Sequence, residues 1–216
     1  IAAVWFEKAA RQGEREAAFE LGRLYLDGNG VPLAPQTGLS WLNQAARTGY
    51  VPANNELGRF YKNNRDPETA RFWYEKSARQ NDPEGLYQLS LLLLEGTPSP
   101  GDVKKGVALT EKAARLNHPG AQFSLAEYYH YGSHVKPDTG RALFWYRRSA
   151  AQHYLPAMRE LADIAEYGLM DQPEDPILAR QLRAEIDTMS GTPSTGADQK
   201  IMDALLTVWD IVKPFT

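Results

Sequence analysis

The sequence predicts an all-α chain, an α-solenoid of short helical pairs, and three observations carry that reading. Residues 17–49, AAFELGRLYLDGNGVPLAPQTGLSWLNQAARTG, read as two helices joined by a Gly/Pro turn. A small-x-x-x-Leu-small segment then recurs at Ala17/Leu21/Gly22, Ala53/Leu57/Gly58, Gly85/Leu89/Ser90, Ala121/Leu125/Ala126 and Ala157/Leu161/Ala162. Apolar anchors keep the same beat at Trp5, Trp41, Trp73, Leu109, Trp145 and Leu182, separated by 36, 32, 36, 36 and 37 residues. A period of this size with two helices per unit marks repeats that cannot bury their stripes alone and must stack.

The elements follow in order. Residues 2–12 read as the second helix of an incomplete unit, and helices then alternate over 15–27, 36–48, 52–62, 67–80, 83–95, 103–116, 119–131, 138–152, 155–167 and 176–189. In the first of these Ala17, Leu21 and Tyr25 share one stripe, while Gly28 and Gly30 suit a left-handed stop that Pro32 and Pro35 reinforce. Small residues at Gly22, Ala45 and Ala46 let neighbouring backbones approach. Asp66-Pro67-Glu68 and Asp82-Pro83-Glu84 each set a capping Asp before a first-turn Pro and an acid. The segments 96–101 and 168–176 read as loops within units. Past Met189 the beat fails: 190–196 is a flexible linker, and 197–212 carries an apolar face of Ile201, Leu205, Val208 and Val212, widened by Met202 and Trp209. That helix is expected to cap the open end of the array; the rival is a docking helix for a further domain.

The pattern Ala-x3-Leu-Gly-x2-Tyr-x2-Gly-x-Gly-Val followed by Gly-x2-Trp-x3-Ala-Ala-x2-Gly resembles the Sel1-like repeats, relatives of the tetratricopeptide repeats. The first unit carries nearly all of it, whereas units three to five replace Leu-Gly by Leu-Ser or Leu-Ala. The resemblance covers residues 1–189 and implies a bacterial protein with a right-handed solenoid whose first helices line a concave groove. The matched residues are packing residues, so it speaks to fold more than to function.

Composition narrows the classes. The 216 residues are 43% apolar, enough for a substantial core, and the net charge of −3 argues against a dedicated nucleic-acid or anionic-membrane binder. There is no cysteine, hence no disulfide or thiolate metal site. No apolar run approaches the roughly 18 residues of a membrane helix. The chain opens on Ile1 inside a helix, so a longer parent protein is expected, with any signal or anchor outside this sequence. A cell-envelope location is expected over the cytoplasm.

Chemistry-bearing constellations are scarce. His130 and His134 have metal-pair spacing, but Gly132 interrupts the helix between them and no third ligand is near, so both read as solvated loop histidines. His118 and His153 fall in inter-helix turns and are expected to be exposed. No nucleophile elbow or phosphate loop is present, the carboxylates are scattered without an acid/base pair, and no cofactor is expected. The Trp residues read as core anchors.

A second stripe on each first helix does stand out. Residues two before, two after and five after the repeat Leu form one face. They run Phe19-Arg23-Leu26, Asn55-Arg59-Lys62, Tyr87-Leu91-Leu94, Phe123-Glu127-His130 and Arg159-Asp163-Glu166. The packing stripe keeps its chemistry from unit to unit, whereas this one varies. Aromatics recur at Phe19, Tyr87 and Phe123, with Leu91 and Leu94 at the centre. Charge runs from Arg23, Arg59 and Lys62 to Glu127, Asp163 and Glu166. The expected function is a non-catalytic scaffold or adaptor holding a protein or peptide in the groove. Bracing of adjacent helices by the same aromatics is the bland counterpart. The competing classes are an envelope- or polysaccharide-associated enzyme module and a pure self-assembly module.

Overall fold

A computed structural model describes residues 2–190, and within them the chain forms eleven α-helices and no strand. They are α1 Ala2–Arg11, α2 Arg15–Asp27, α3 Pro35–Arg47, α4 Val51–Asn63, α5 Pro67–Arg79, α6 Pro83–Leu94, α7 Pro100–Arg115, α8 Pro119–Tyr131, α9 Thr139–Ala150, α10 Leu155–Tyr167 and α11 Pro176–Met189. The expected terminal helix, and all but the first residue of its linker, lie outside the described residues. Two compact units meet in sequence at His118/Pro119. In the first, each of α1 to α6 packs on the helix after it; in the second, each of α8 to α10 does.

Local chemistry explains the boundaries. Asp66 accepts the Thr69 N–H at 3.1 Å and Asp82 the Gly85 N–H at 2.7 Å, each just ahead of a first-turn proline. Gly28 closes α2 in the left-handed conformation, at φ 67°. Helix α7 starts three residues earlier than expected. The Ser99 hydroxyl accepts the Asp102 N–H at 3.2 Å with Pro100 at the first turn, so Pro100 and Gly101 belong to the helix and not to the preceding loop.

Within a pair, small residues set the spacing. A Cβ on Gly38 would fall 2.7 Å from the Gly22 carbonyl oxygen, and one on Gly22 would fall 2.7 Å from Leu42 Cγ, so α2 and α3 touch backbone to backbone. Where the repeat carries Leu-Ser, the contact becomes polar: the Thr110 hydroxyl donates to Ser90 Oγ at 3.0 Å inside the α6/α7 pair.

Among the described tryptophans only Trp73 lies in the core. Trp73 is buried at 8% exposure, packed with Ala53 and Leu57, but Trp41 and Trp145 are half-buried and Trp5 is 66% exposed. The deepest position lies one residue later, at Leu42, Tyr74, Thr110 and Tyr146, none above 2%. The next residue on a helix turns about 100° further round. The flat indole therefore lies over the margin of its helical pair while its neighbour points into it.

Candidate functional site

Several of the predicted stripe residues brace the fold. In α2 the Phe19 ring meets Tyr50 edge-on at 5.5 Å and packs against the core, with the Arg23 guanidinium 5.7 Å from its centroid and 3.7 Å from Glu20. Leu94, expected at the centre of the groove, instead fills the space over Gly106 of its own pair, as Leu26 does over Gly38. Tyr87 packs against His118, the ring centroids 4.7 Å apart and the planes tilted by 39°. His118 is not the exposed turn residue the sequence implied: its side chain is mostly buried and its Nε2 lies 2.8 Å from Glu84. Leu91 stays half-buried on α6.

Asn55, Arg59 and Lys62 do come together, on the face of α4 turned toward Glu84 and Gln88 of α6. They line a pocket of about 420 Å³. Asn55 Nδ2 donates to Asp82 Oδ2 at 2.8 Å, and the same oxygen accepts from the Ser77 hydroxyl at 3.0 Å. The N-cap of α6 thus ties three helices together. Lys62 Nζ donates to Gln88 Oε1 at 3.2 Å, and Gln88 Nε2 to Glu84 Oε1 at 2.9 Å. Arg59 is committed to Glu56, its neighbour one turn away. The hydrogen bond from His118 holds the Glu84 carboxyl below its ordinary range, against the opposing effect of burial, with Gln88 adding to the lowering. Tyr74, from α5, also lines the pocket; burial pushes its phenol pKa well up.

The second unit is built differently on the same frame. Phe123 sits 5.7 Å from both Tyr146 and Tyr154, so it too braces the core. His130 is no solvated loop residue. It closes the last turn of α8, stacks on Tyr131 at 4.3 Å, and places Nδ1 3.3 Å from the Tyr146 hydroxyl and 3.7 Å from Glu160. Burial, and then the charge of Glu160, raise the Glu127 pKa. Among the described residues neither Glu127 nor Glu160 pairs with a Lys or Arg. The expected acidic end stops there: Arg183 of α11 binds Asp163 at 2.9 Å and also contacts Glu166, so those two charges are compensated. Arg159 is exposed on the same side and lines a second hollow of about 400 Å³ with Asp163 and Arg183. His153 is exposed and lies 2.9 Å from Glu185. Among the described residues no three His, Asp or Glu side chains gather into a metal-binding group, and no helix is long and apolar enough to cross a membrane.

Two sets of residues at these faces escaped the sequence reading. One is the position just before the repeat Leu, which supplies Glu56, Gln88 and Glu160. The other is the position just after the anchor, which supplies Tyr74 and Tyr146. The first had a usable signal, since long polar side chains recur there.

Comparison with known proteins bears out the repeat phase. The Sel1 repeat model matches residues 1–14, 15–50, 51–82, 83–118, 119–154 and 155–182. An uncharacterized protein of Neisseria meningitidis serogroup B is 30% identical over 167 residues, covering 77% of this chain and 36% of that protein. The chain therefore spans about a third of that relative's length. The crystal structure of a Sel1 repeat protein from Oxalobacter formigenes superimposes with a TM-score of 0.80 at 26% identity, over 87% of this chain and 78% of its own. That of an immunity protein from Pseudomonas aeruginosa gives 0.65 at 19% identity over 89% and 74%, a likeness of fold alone. Sel1 repeat proteins are commonly protein-interaction scaffolds and generally non-catalytic. With matched repeats running from residue 1 to residue 182, the chain belongs to the Sel1 repeat family of all-α solenoid proteins.

Proposed function

We propose that this chain is a non-catalytic scaffold that holds extended segments of a partner polypeptide against the first-helix faces. The observation that supports this reading is the contrast in charge along those faces. Around Lys62 the first unit offers a cation with no carboxylate paired to it among the described residues. Around Glu127 and Glu160 the second offers carboxylates with no Lys or Arg partner among the described residues, Glu160 lying 3.7 Å from His130 Nδ1. Side chains whose polar capacity is left unused within the chain are what recognition of another molecule needs. Basic stretches of a partner suit the α8/α10 face and acidic ones the α4/α6 face.

The aromatic rings are poor probes, because Phe19 and Phe123 brace the core. A photo-crosslinking residue at Leu91, on the first-helix face, is the better tool, with a control at Lys112 on the exposed side of α7. Capture of one partner from Leu91 and not from Lys112 is the expected result. Capture from Lys112 alone moves the binding surface to the second helices and overturns the reading.

A further inference from the structure

The pocket between α4 and α6 is lined by three residues whose polar groups have hydrogen-bonding capacity left unfilled among the described residues, and together they specify a ligand. The Asn55 carboxamide is oriented by its donation to Asp82 Oδ2, since the reversed amide would set oxygen against oxygen. Its own Oδ1 is buried and accepts no hydrogen bond among the described residues. An amide oxygen in that state calls for an N–H donor. Tyr74 is 2% exposed, lines the pocket, and makes no hydrogen bond among the described residues. Its phenol is held protonated by burial and by the nearby charge of Glu84, so it has an O–H to give. Lys62 spends one of three donors on Gln88 Oε1 and has no ion pair among the described residues.

Two groups with unfilled donors and one with an unfilled acceptor exclude most ligands. The pocket carboxylates are already engaged, Glu56 by Arg59 and Glu84 by Gln88 and His118, so the charge left for a ligand is that of Lys62, which a basic group would oppose. An inorganic anion would satisfy Lys62 and Tyr74 but bring no N–H to Asn55. A residue with a carboxylate and its own amide N–H satisfies all three. At about 420 Å³ the pocket has room for such a residue with its flanking peptide units. The geometry points to this pocket as a reader of acidic residues in the partner: the carboxylate against Lys62 Nζ and the Tyr74 hydroxyl, the amide N–H against Asn55 Oδ1. This rests on the first-helix reading above and deepens it. The same chemistry has two sources, an Asp or Glu side chain within a chain or the carboxylate of a chain end.

The test is a titration of the isotope-labelled chain with three acetylated pentapeptides, followed through the Asn55 side-chain amide signals. One is Ala-Ala-Glu-Ala-Ala-amide, one Ala-Ala-Gln-Ala-Ala-amide, and one penta-alanine with a free carboxylate. Saturable shifts with the Glu peptide identify a side-chain reader, and with the free-acid peptide a chain-end reader; the Gln peptide should bind at least about tenfold more weakly than whichever acid binds. Lys62→Gln should erase the preference for acid. Tyr74→Phe, which keeps the ring and its packing, should weaken the acidic peptide alone. Equal binding of all three peptides, or no saturable shift with either acid, overturns the inference. In that event, capture of a partner from Leu91 would still leave the scaffold reading standing, and loss of both would remove it too.

Discussion

The two units place different chemistry on equivalent positions of one backbone. Five residues after the repeat Leu, the first unit has Lys62 donating to Gln88 at 3.2 Å; the second has His130 with Nδ1 3.7 Å from Glu160. Two before it, Asn55 corresponds to Phe123, and two after it, Arg59 to Glu127. Beneath both lies a buried tyrosine directly after the anchor tryptophan. Tyr74 lines a pocket and its hydroxyl makes no hydrogen bond among the described residues, while the Tyr146 hydroxyl is occupied by His130 at 3.3 Å. The frame of helices and anchors tolerates this exchange because Leu57 and Leu125, and the small residue after each, stay buried, even where a varied residue such as Phe123 packs onto the core around them. One scaffold can therefore carry a face with a basic charge and a face with acidic charges that have no Lys, Arg or carboxylate partner among the described residues.

The largest expected effects test the frame itself. Trp73→Ala should cost roughly 3–5 kcal/mol, as a large buried truncation. Trp145→Ala should cost clearly less, because Trp145 is only half-buried. Chemical denaturation followed by circular dichroism would compare them, and equal losses would mean that both indoles anchor the core alike. Next is the small residue under the tyrosine. A Cβ on Gly58 would lie 2.6 Å from the Tyr74 ring, so Gly58→Ala should cost about 1–3 kcal/mol as overpacking. In the second unit Ala126 already occupies the position, and Ala126→Gly should cost only about 1 kcal/mol of helix propensity. A neutral Gly58→Ala would show that the Tyr74 ring moves freely.

The hydroxyls separate the two tyrosines without disturbing packing. Tyr146→Phe should lose about 0.5–1.5 kcal/mol for one internal hydrogen bond. Tyr74→Phe should leave stability nearly unchanged, since its hydroxyl makes no bond among the described residues. Matching losses at both would mean that Tyr74 has a partner within the chain, and the pocket would no longer offer a free donor.

Much of this was legible in the sequence because helix ends are local chemistry. Asp66 and Asp82 cap within four residues of themselves, prolines mark first turns, and the Leu and Trp beat fixes the phase. What the sequence did not show was which of two adjacent stripes faces the neighbouring helix. Leu94 and Leu26 share a stripe with Lys62 and His130, yet they turn onto Gly106 and Gly38 of their own pairs. Side-chain length and the glycine opposite decide that, and both depend on the crossing of two helices. The Arg183 contacts with Asp163 and Glu166 were hidden for the same reason: 20 and 17 residues separate the partners. His118 against Glu84 spans 34.

The smallest expected effect is also the one with opposite signs in the two units. Glu127 has a raised folded pKa, because burial and then the charge of Glu160 disfavour its ionised form. Below the ordinary carboxylate value both folded and unfolded chains carry the proton, and no penalty exists. As pH rises from that value through the raised one, the unfolded chain releases its proton more readily, and stability falls. Glu127→Gln should therefore raise Tm at neutral pH and lose that advantage by about pH 4. Glu84 behaves the other way. The His118 hydrogen bond lowers its folded pKa, so its contribution is present above the ordinary carboxylate value and is lost as pH falls through the lowered one. Glu84→Gln should lower Tm at neutral pH, with the deficit shrinking in acid. Melting curves of both variants across this range would read the two signs directly. A Glu127→Gln variant that loses stability at neutral pH would mean that the carboxylate has a cationic partner within the chain. The second unit would then offer no unpaired acid to a basic segment, and the contrast between the faces would reduce to the pocket at Lys62.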